Sequence, residues 1–105
     1  MNQYELVLVN LDPTIGSEIK KTRLCIIISP NEMNDSLSTI IIAPITSNKK
    51  KYPTRVKLAS KNVSGMIVLD QIRTVDKKRV IKSIGKTTIK TNLTIKDVLK
   101  QMLIY

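Results

Sequence analysis

Arginine is scarce in this chain, four residues against fourteen lysines. Two of the four stand beside other polar groups at the ends of apolar runs: Thr22-Arg23 before Leu24–Ser29, and Asp70-Gln71-Ile72-Arg73 after Met66–Leu69. A guanidinium fork grips a phosphate bidentately and stabilises charge that develops on it, which a lysine ammonium does with less geometric definition. Arg23 and Arg73 are therefore candidates for contacts made in a phosphoryl transition state. The alternative, equally open from spacing, is structural pairing of Arg23 with Glu18 and of Arg73 with Asp70. Two further polar clusters, Gly16-Ser17-Glu18 and Thr46-Ser47-Asn48, also adjoin apolar runs.

What is missing narrows the chemistry. The chain has no histidine, so two-histidine ribonuclease catalysis is impossible and a zinc site lacks ligands. Eight scattered acids without a close pair argue against a two-metal nuclease. Cys25, the single cysteine, has no histidine to activate it and is read as a small apolar residue in a strand. A nuclease built from these residues works without metal or cofactor. RNA makes that feasible, because its own 2′-hydroxyl can attack the adjacent phosphate once a protein orients it and stabilises the phosphorane.

Charge points to the same class of partner. The 105 residues carry a formal net charge of +10, which with no histidine hardly changes between about pH 6 and 8. Lys49 to Lys61 contains six basic residues and no acid, and Lys77 to Lys96 seven and none. Such a surface favours nucleic acid first, with anionic membranes and acidic proteins behind it. Aromatics are only 3%, which argues against the stacking platforms of many single-strand binders.

The elements that must position these groups follow from pattern. A chain of this length buries roughly two-thirds of its unfolded surface around one core, and residues 1–105 are expected to form one domain. Glu5–Leu11, Arg23–Ser29, Thr39–Ile45, Thr54–Leu58 and Met66–Leu69 are apolar or alternating runs bounded by turn residues, the pattern of strands. Pro44 inside the third run predicts an edge or a bulge. Asn31–Ser36 predicts a turn or single helical turn around Asn34-Asp35. Thr94 with Asp97 three residues on resembles a capping box, predicting a helix from Ile95 to about Leu103 with Ile95, Val98, Leu99, Met102 and Leu103 on one face. Short strands with one terminal helix predict a small, mainly antiparallel barrel or open sheet. No apolar run is long enough for a bilayer span, and Met1–Leu11 lacks the basic start of a secretion signal, so a cytoplasmic protein without membrane attachment is expected.

Taken together, Asn10-Leu-Asp-Pro-Thr14, Gly16-Ser-Glu-Ile-Lys-Lys-Thr-Arg23, Ile26-Ile-Ile-Ser29, Ala43-Pro-Ile-Thr-Ser47, Gly65 and Asp70-Gln-Ile-Arg-Thr-Val-Asp76 resemble the MazF/PemK-type toxins of bacterial toxin–antitoxin pairs, in the family's order to about Gly85. The resemblance implies a mainly β, SH3-like small barrel with a C-terminal α-helix. It implies a homodimer, and sequence-specific, metal-independent cleavage of single-stranded RNA (mRNA) to 2′,3′-cyclic phosphate and 5′-hydroxyl ends. By motif position Arg23 and Thr46 match the family's catalytic arginine and threonine. Asp70 and Arg73 match residues given catalytic roles in some members, and Glu18 or Asp70 is the base or a base-reading group. Ser17, Lys20, Lys21, Ser47, Asn48 and Gln71 fall on the RNA-contacting loops. An acidic antitoxin is the implied protein partner, in a bacterial cytoplasm. Leu24 stands where the family usually has proline and the first strand lacks the tryptophan often found there; neither departure removes a proposed catalytic group. The rival is a non-catalytic toxin of the gyrase-poison type, or a plain nucleic-acid-binding module, on the same barrel.

Overall fold

In the computed structural model the described residues are 1–11, 22–60 and 63–104. Seven strands and two helices follow in the order β1 (Glu5–Asn10), β2 (Thr22–Ile27), α1 (Asn31–Ser36), β3 (Thr39–Thr46), β4 (Arg55–Ala59), β5 (Ser64–Val68), β6 (Arg73–Asp76), β7 (Val80–Lys86) and α2 (Ile89–Leu103). All the strand pairs are antiparallel, in the spatial order β4-β5-β3-β2-β1-β7, with β6 joined to β3 beside this path. The sheet is barrel-like but open: among the described residues no ladder joins β4 to β7.

Runs of isoleucine and valine make the central strands because both faces of the sheet are buried. On one side Leu6, Ile26, Ala43, Ile45, Val56, Leu58, Ile67 and Leu69 pack with Ile95 of α2. On the other Val7, Val9, Cys25, Ile27, Ile40, Ile42 and Val75 form a second cluster. Each fully buried Val, Ile or Leu contributes about 1.5–3 kcal/mol relative to exposure, so the sheet centre is the most firmly held part of the fold.

β3 is the hinge of the architecture. Its first half, Thr39–Ile42, pairs with β6, and its end, Ile45-Thr46, pairs with β5, while β2 runs along its other edge through Cys25↔Pro44, Ile26↔Ala43 and Ile27↔Ile42. Pro44 therefore lies on a central strand rather than at an edge. A missing N–H is tolerated because Pro44 occupies the interval where β3 has left β6 and not yet joined β5.

The terminal helix starts six residues earlier than the capping pattern predicts. Thr88 is the N-cap, its hydroxyl accepting the Thr91 N–H at 3.1 Å. Thr94 instead donates its hydroxyl to the Lys90 carbonyl, 3.0 Å away and one turn back, the internal bond that lets threonine sit inside a helix. Ile95 is fully buried, and Val98, Leu99 and Met102 pack on the same core, as the helical spacing requires; Leu103 remains exposed. α1 is the single predicted turn, anchored by Asn34, which accepts from Ser29 Oγ at 2.5 Å and donates to the Ser29 carbonyl at 3.0 Å. Among the described residues no helix is long and apolar enough to cross a membrane.

Candidate active site

The ladders place the chemistry-bearing residues in rows. Val9 pairs with Arg23 between β1 and β2, Thr46 pairs with Met66 between β3 and β5, and Met66 pairs with Lys57 between β5 and β4. Carrying the β2–β3 register two residues past Cys25↔Pro44 brings Arg23 opposite Thr46. Directly opposed residues of an antiparallel ladder project to the same face, so Arg23, Thr46 and Lys57 lie on one side of the sheet. Arg23 is exposed and Thr46 half-buried, the accessibility needed to meet a ligand from solvent.

Thr46 is held in a local turn. Its Oγ1 accepts the Asn48 N–H at 3.2 Å, and Asn48 Oδ1 accepts the Lys50 N–H at 3.0 Å. A hydroxyl that accepts from the backbone keeps its own proton free to donate, so Thr46 offers one O–H in a fixed position. Ser47 and Asn48 are exposed beside it.

Beneath the Arg23–Thr46 row lies Cys25, fully buried, its thiol 3.7 Å from the Arg23 carbonyl. Burial pushes the thiol pKa up to about 11, even though the positive charges of Arg23 and Arg73 draw it down. Cys25 is thus a neutral thiol; along β2 it lies between Arg23 and Ile27, the residue whose partner Ile42 pairs in turn with Arg73.

Asp70, Gln71 and Arg73 follow β5 through a short 3-10 turn (Leu69–Gln71) and are exposed. Arg73 pairs in register with Ile42, four residues before Thr46 and so about 13 Å along β3. The Arg73–Asp70 ion pair weighed from the sequence is absent. Asp70 Oδ1 instead accepts the Thr54 hydroxyl at 2.9 Å and lies 4.0 Å from Arg55 Nε, an ion-pair distance without a hydrogen bond. Arg55 also lies 4.6 Å from the centroid of the Tyr52 ring, with Lys50 Nζ 5.4 Å from that centroid, a cation–π arrangement. Thr54, Arg55 and Tyr52 were not singled out from the sequence. Alternation put Arg55 and Lys57 on one face, but only the β4–β5 pairing Arg55↔Val68 brings Arg55 to the turn that carries Asp70. Ser17, Glu18, Lys20 and Lys21 lie outside the described residues. Among the described residues no three of Cys, Asp and Glu converge as a metal-holding set.

A bent antiparallel sheet with a C-terminal helix, carrying a basic polar row at a strand end, defines a small β-barrel-like protein with an open basic face. Residues 2–103 match the model of the PemK-like, MazF-like toxins of type II toxin–antitoxin systems, and the chain belongs to that family. It is 39% identical over 82 residues to a Staphylococcus epidermidis protein named endoribonuclease MazF, an alignment covering 72% of this chain and 68% of that one. Its fold superposes on the crystal structure of MazF from Deinococcus radiodurans with a TM-score of 0.82 at 25% identity, covering 100% of this chain and 97% of that one. A MazE–MazF crystal structure from the same organism gives 0.84 at 25% identity, covering 98% and 95%.

Proposed function

We propose that this toxin is an endoribonuclease that cuts single-stranded RNA, mRNA in the cell, by internal transfer. The 2′-oxygen attacks phosphorus and loses its proton, the bond from phosphorus to the 5′-oxygen breaks, and that oxygen takes up a proton. A 2′,3′-cyclic phosphate and a 5′-hydroxyl result, with no metal or cofactor in any step. The observation that supports this reading is the β2–β3 register, which, carried two residues past its last pair Cys25↔Pro44, sets Arg23 opposite Thr46. Arg23 stabilises the phosphorane and assists the leaving oxygen, and the free O–H of Thr46 bonds a phosphate oxygen. Ser47, Asn48 and Gln71 contact splayed bases, as do Ser17 and Lys20 with Lys21 from the first loop. Asp70, engaged by Thr54 and Arg55, suits an acceptor for a base edge, with Arg73 on a flanking phosphate; Glu18 is the carboxylate left to take the 2′-proton.

The protein partners are an acidic antitoxin segment that covers the basic face and a second copy of the chain. Support for the second copy comes from β7, which among the described residues pairs only with β1 and leaves Ile81 and Ile84 exposed, and from α2, which leaves Ile89 and Leu93 exposed. Unpaired edges with apolar side chains are where strands or chains associate. The setting is the bacterial cytoplasm.

The test is incubation of the protein and Arg23→Ala with a long RNA in EDTA, mapping every new 5′ end. Recurrent cuts with 5′-hydroxyl ends are expected. Arg23→Ala should lower the rate about 100- to 1,000-fold, the cost of one oxyanion donor, with an unchanged melting temperature. Binding without scission in EDTA, or full activity in folded Arg23→Ala, would overturn the assignment.

A further inference from the structure

A second basic feature adjoins the site and is not needed for the chemistry just described. Lys49, Lys51, Lys57 and Ser64, with Gly65 and Met66, line a cavity of about 140 Å³. Holding one water takes only about 10–15 Å³ of such space, so the cavity has room for an anion the size of a phosphate together with part of its water. Lys57 stands on the same row as Thr46, two strands away through Met66, hence about 10 Å between Cα atoms. Gly65 ties the two together: a Cβ at that position would lie 2.6 Å from the Thr46 carbonyl oxygen, so the cavity wall is the backbone of the proposed catalytic strand end.

Three lysines line the cavity, and among the described residues no counter-charge faces them. No acid occurs between Lys49 and Lys61, and among the described residues no carboxylate pairs with Lys49, Lys51 or Lys57. Asp70, the acid that reaches β4, meets it at Thr54 and Arg55, at the strand's start. Lysines are compact charges that bind phosphate without reading a base, and buried Met66 on the cavity wall lowers the local polarity and strengthens their field.

We propose that this lysine cup is a subsite for a backbone phosphate of the RNA, flanking the scissile one on the β4 side. The proposal rests on the endoribonuclease reading and adds to it a fixed anchor point that sets the strand's path across Thr46. An extended strand lying along the Arg23–Thr46–Lys57 row delivers such a phosphate to the cup, and it is this continuity with the site that favours RNA over an acidic peptide.

The experiment compares wild type, Lys57→Gln and the double variant Lys49→Gln/Lys51→Gln, with Lys96→Gln, at an exposed position on α2 that does not line the cavity, as a control. The probe is a single-stranded RNA holding a mapped cut sequence, made uncleavable by a 2′-deoxy sugar at the attacking nucleotide, with single methylphosphonates placed at successive positions. Lys57→Gln should weaken binding about three- to tenfold and reduce the slope of log affinity against log salt by about 0.7, the loss of one phosphate contact on a single strand. On cleavable RNA it should raise KM while leaving kcat and cut sequence unchanged. One methylphosphonate away from the cut should weaken wild type and not Lys57→Gln. Unchanged slope and KM, an equal slope change in Lys96→Gln, or a methylphosphonate penalty that persists in Lys57→Gln would overturn the subsite. Loss of binding to an acidic antitoxin peptide with RNA binding intact would overturn it in favour of a protein ligand. If wild type cuts no RNA, the endoribonuclease reading falls separately, and the salt slope on a mixed-sequence strand still decides the subsite.

Discussion

Replacing Gly65 by alanine should damage catalysis more than folding, and a second glycine supplies the control. Gly65 and Gly85 have nearly the same backbone conformation, φ 156° and 155°, a region L-residues rarely occupy at a cost of about 1–3 kcal/mol. A Cβ at Gly85 meets nothing within 4 Å, whereas at Gly65 it meets the Thr46 carbonyl oxygen at 2.6 Å and Ile45 Cγ2 at 3.0 Å. Gly85→Ala therefore measures the conformational cost alone, and Gly65→Ala adds overpacking against backbone, about 1–3 kcal/mol more. At roughly 4–8 °C per kcal/mol for a domain near this size, Gly65→Ala should melt at least about 5 °C below Gly85→Ala. Moving the 2.6 Å approach to ordinary contact beyond 3.4 Å shifts the Thr46 backbone by most of an ångström. A misplacement of about 1 Å at a reacting group costs about a hundredfold, so kcat should fall roughly ten- to a hundredfold in Gly65→Ala and stay near wild type in Gly85→Ala. Both are read by thermal melts followed by by cleavage rates at a temperature where each variant is folded. Equal melting temperatures for the two variants, or unchanged kcat in Gly65→Ala, would refute the argument that Gly65 sets the position of Thr46.

Cys25 makes stability fall in alkali. Burial raises its folded pKa to about 11 from 9.0, so the unfolded chain loses the proton first; the contribution is complete below about pH 9 and disappears as pH rises towards 11. Two units correspond to at most about 3 kcal/mol; urea unfolding of wild type and Cys25→Ala at pH 8 and pH 10.5 should show the difference between them shrinking, and parallel losses would contradict the burial argument. Thr88→Ala removes the α2 cap and should cost about 1 kcal/mol, seen as a lower melting temperature. Thr94→Ala, which removes only an internal helix bond, should change stability by less than Thr88→Ala.

The strands that carry the site were legible because their apolar runs are long and bounded by turn residues. The register was not: nothing local in Cys25 or Pro44 says that they pair, and the extension of that ladder towards Arg23 and Thr46 becomes visible only once β2 and β3 align. β7 was hidden for a different reason. Val80–Lys86 does not alternate cleanly, and its ladder with β1 shifts twice, between Leu6 and Val7 and between Leu8 and Val9. The start of α2 was misplaced because Thr94 and Asp97 have capping-box spacing while Thr88, followed by Ile89-Lys90, does not. Asp70 is legible as a functional group, yet its partners Thr54 and Arg55 stand at the start of β4, fifteen or more residues away in sequence.

The two bonds that link Thr46 Oγ1 to Asn48 N and Asn48 Oδ1 to Lys50 N bear on how such a toxin can diverge. The hydroxyl proposed to meet the phosphate is also the acceptor that closes the turn displaying Ser47 and Asn48. Because Thr46 Oγ1 takes the backbone N–H of residue 48, which every residue but proline retains, a lineage that alters the Asn48 side chain gives up only the Lys50 N–H bond. The side chain at position 48 is therefore free to vary while the hydroxyl proposed to meet the phosphate keeps its anchor, and recognition can drift without carrying that anchor with it.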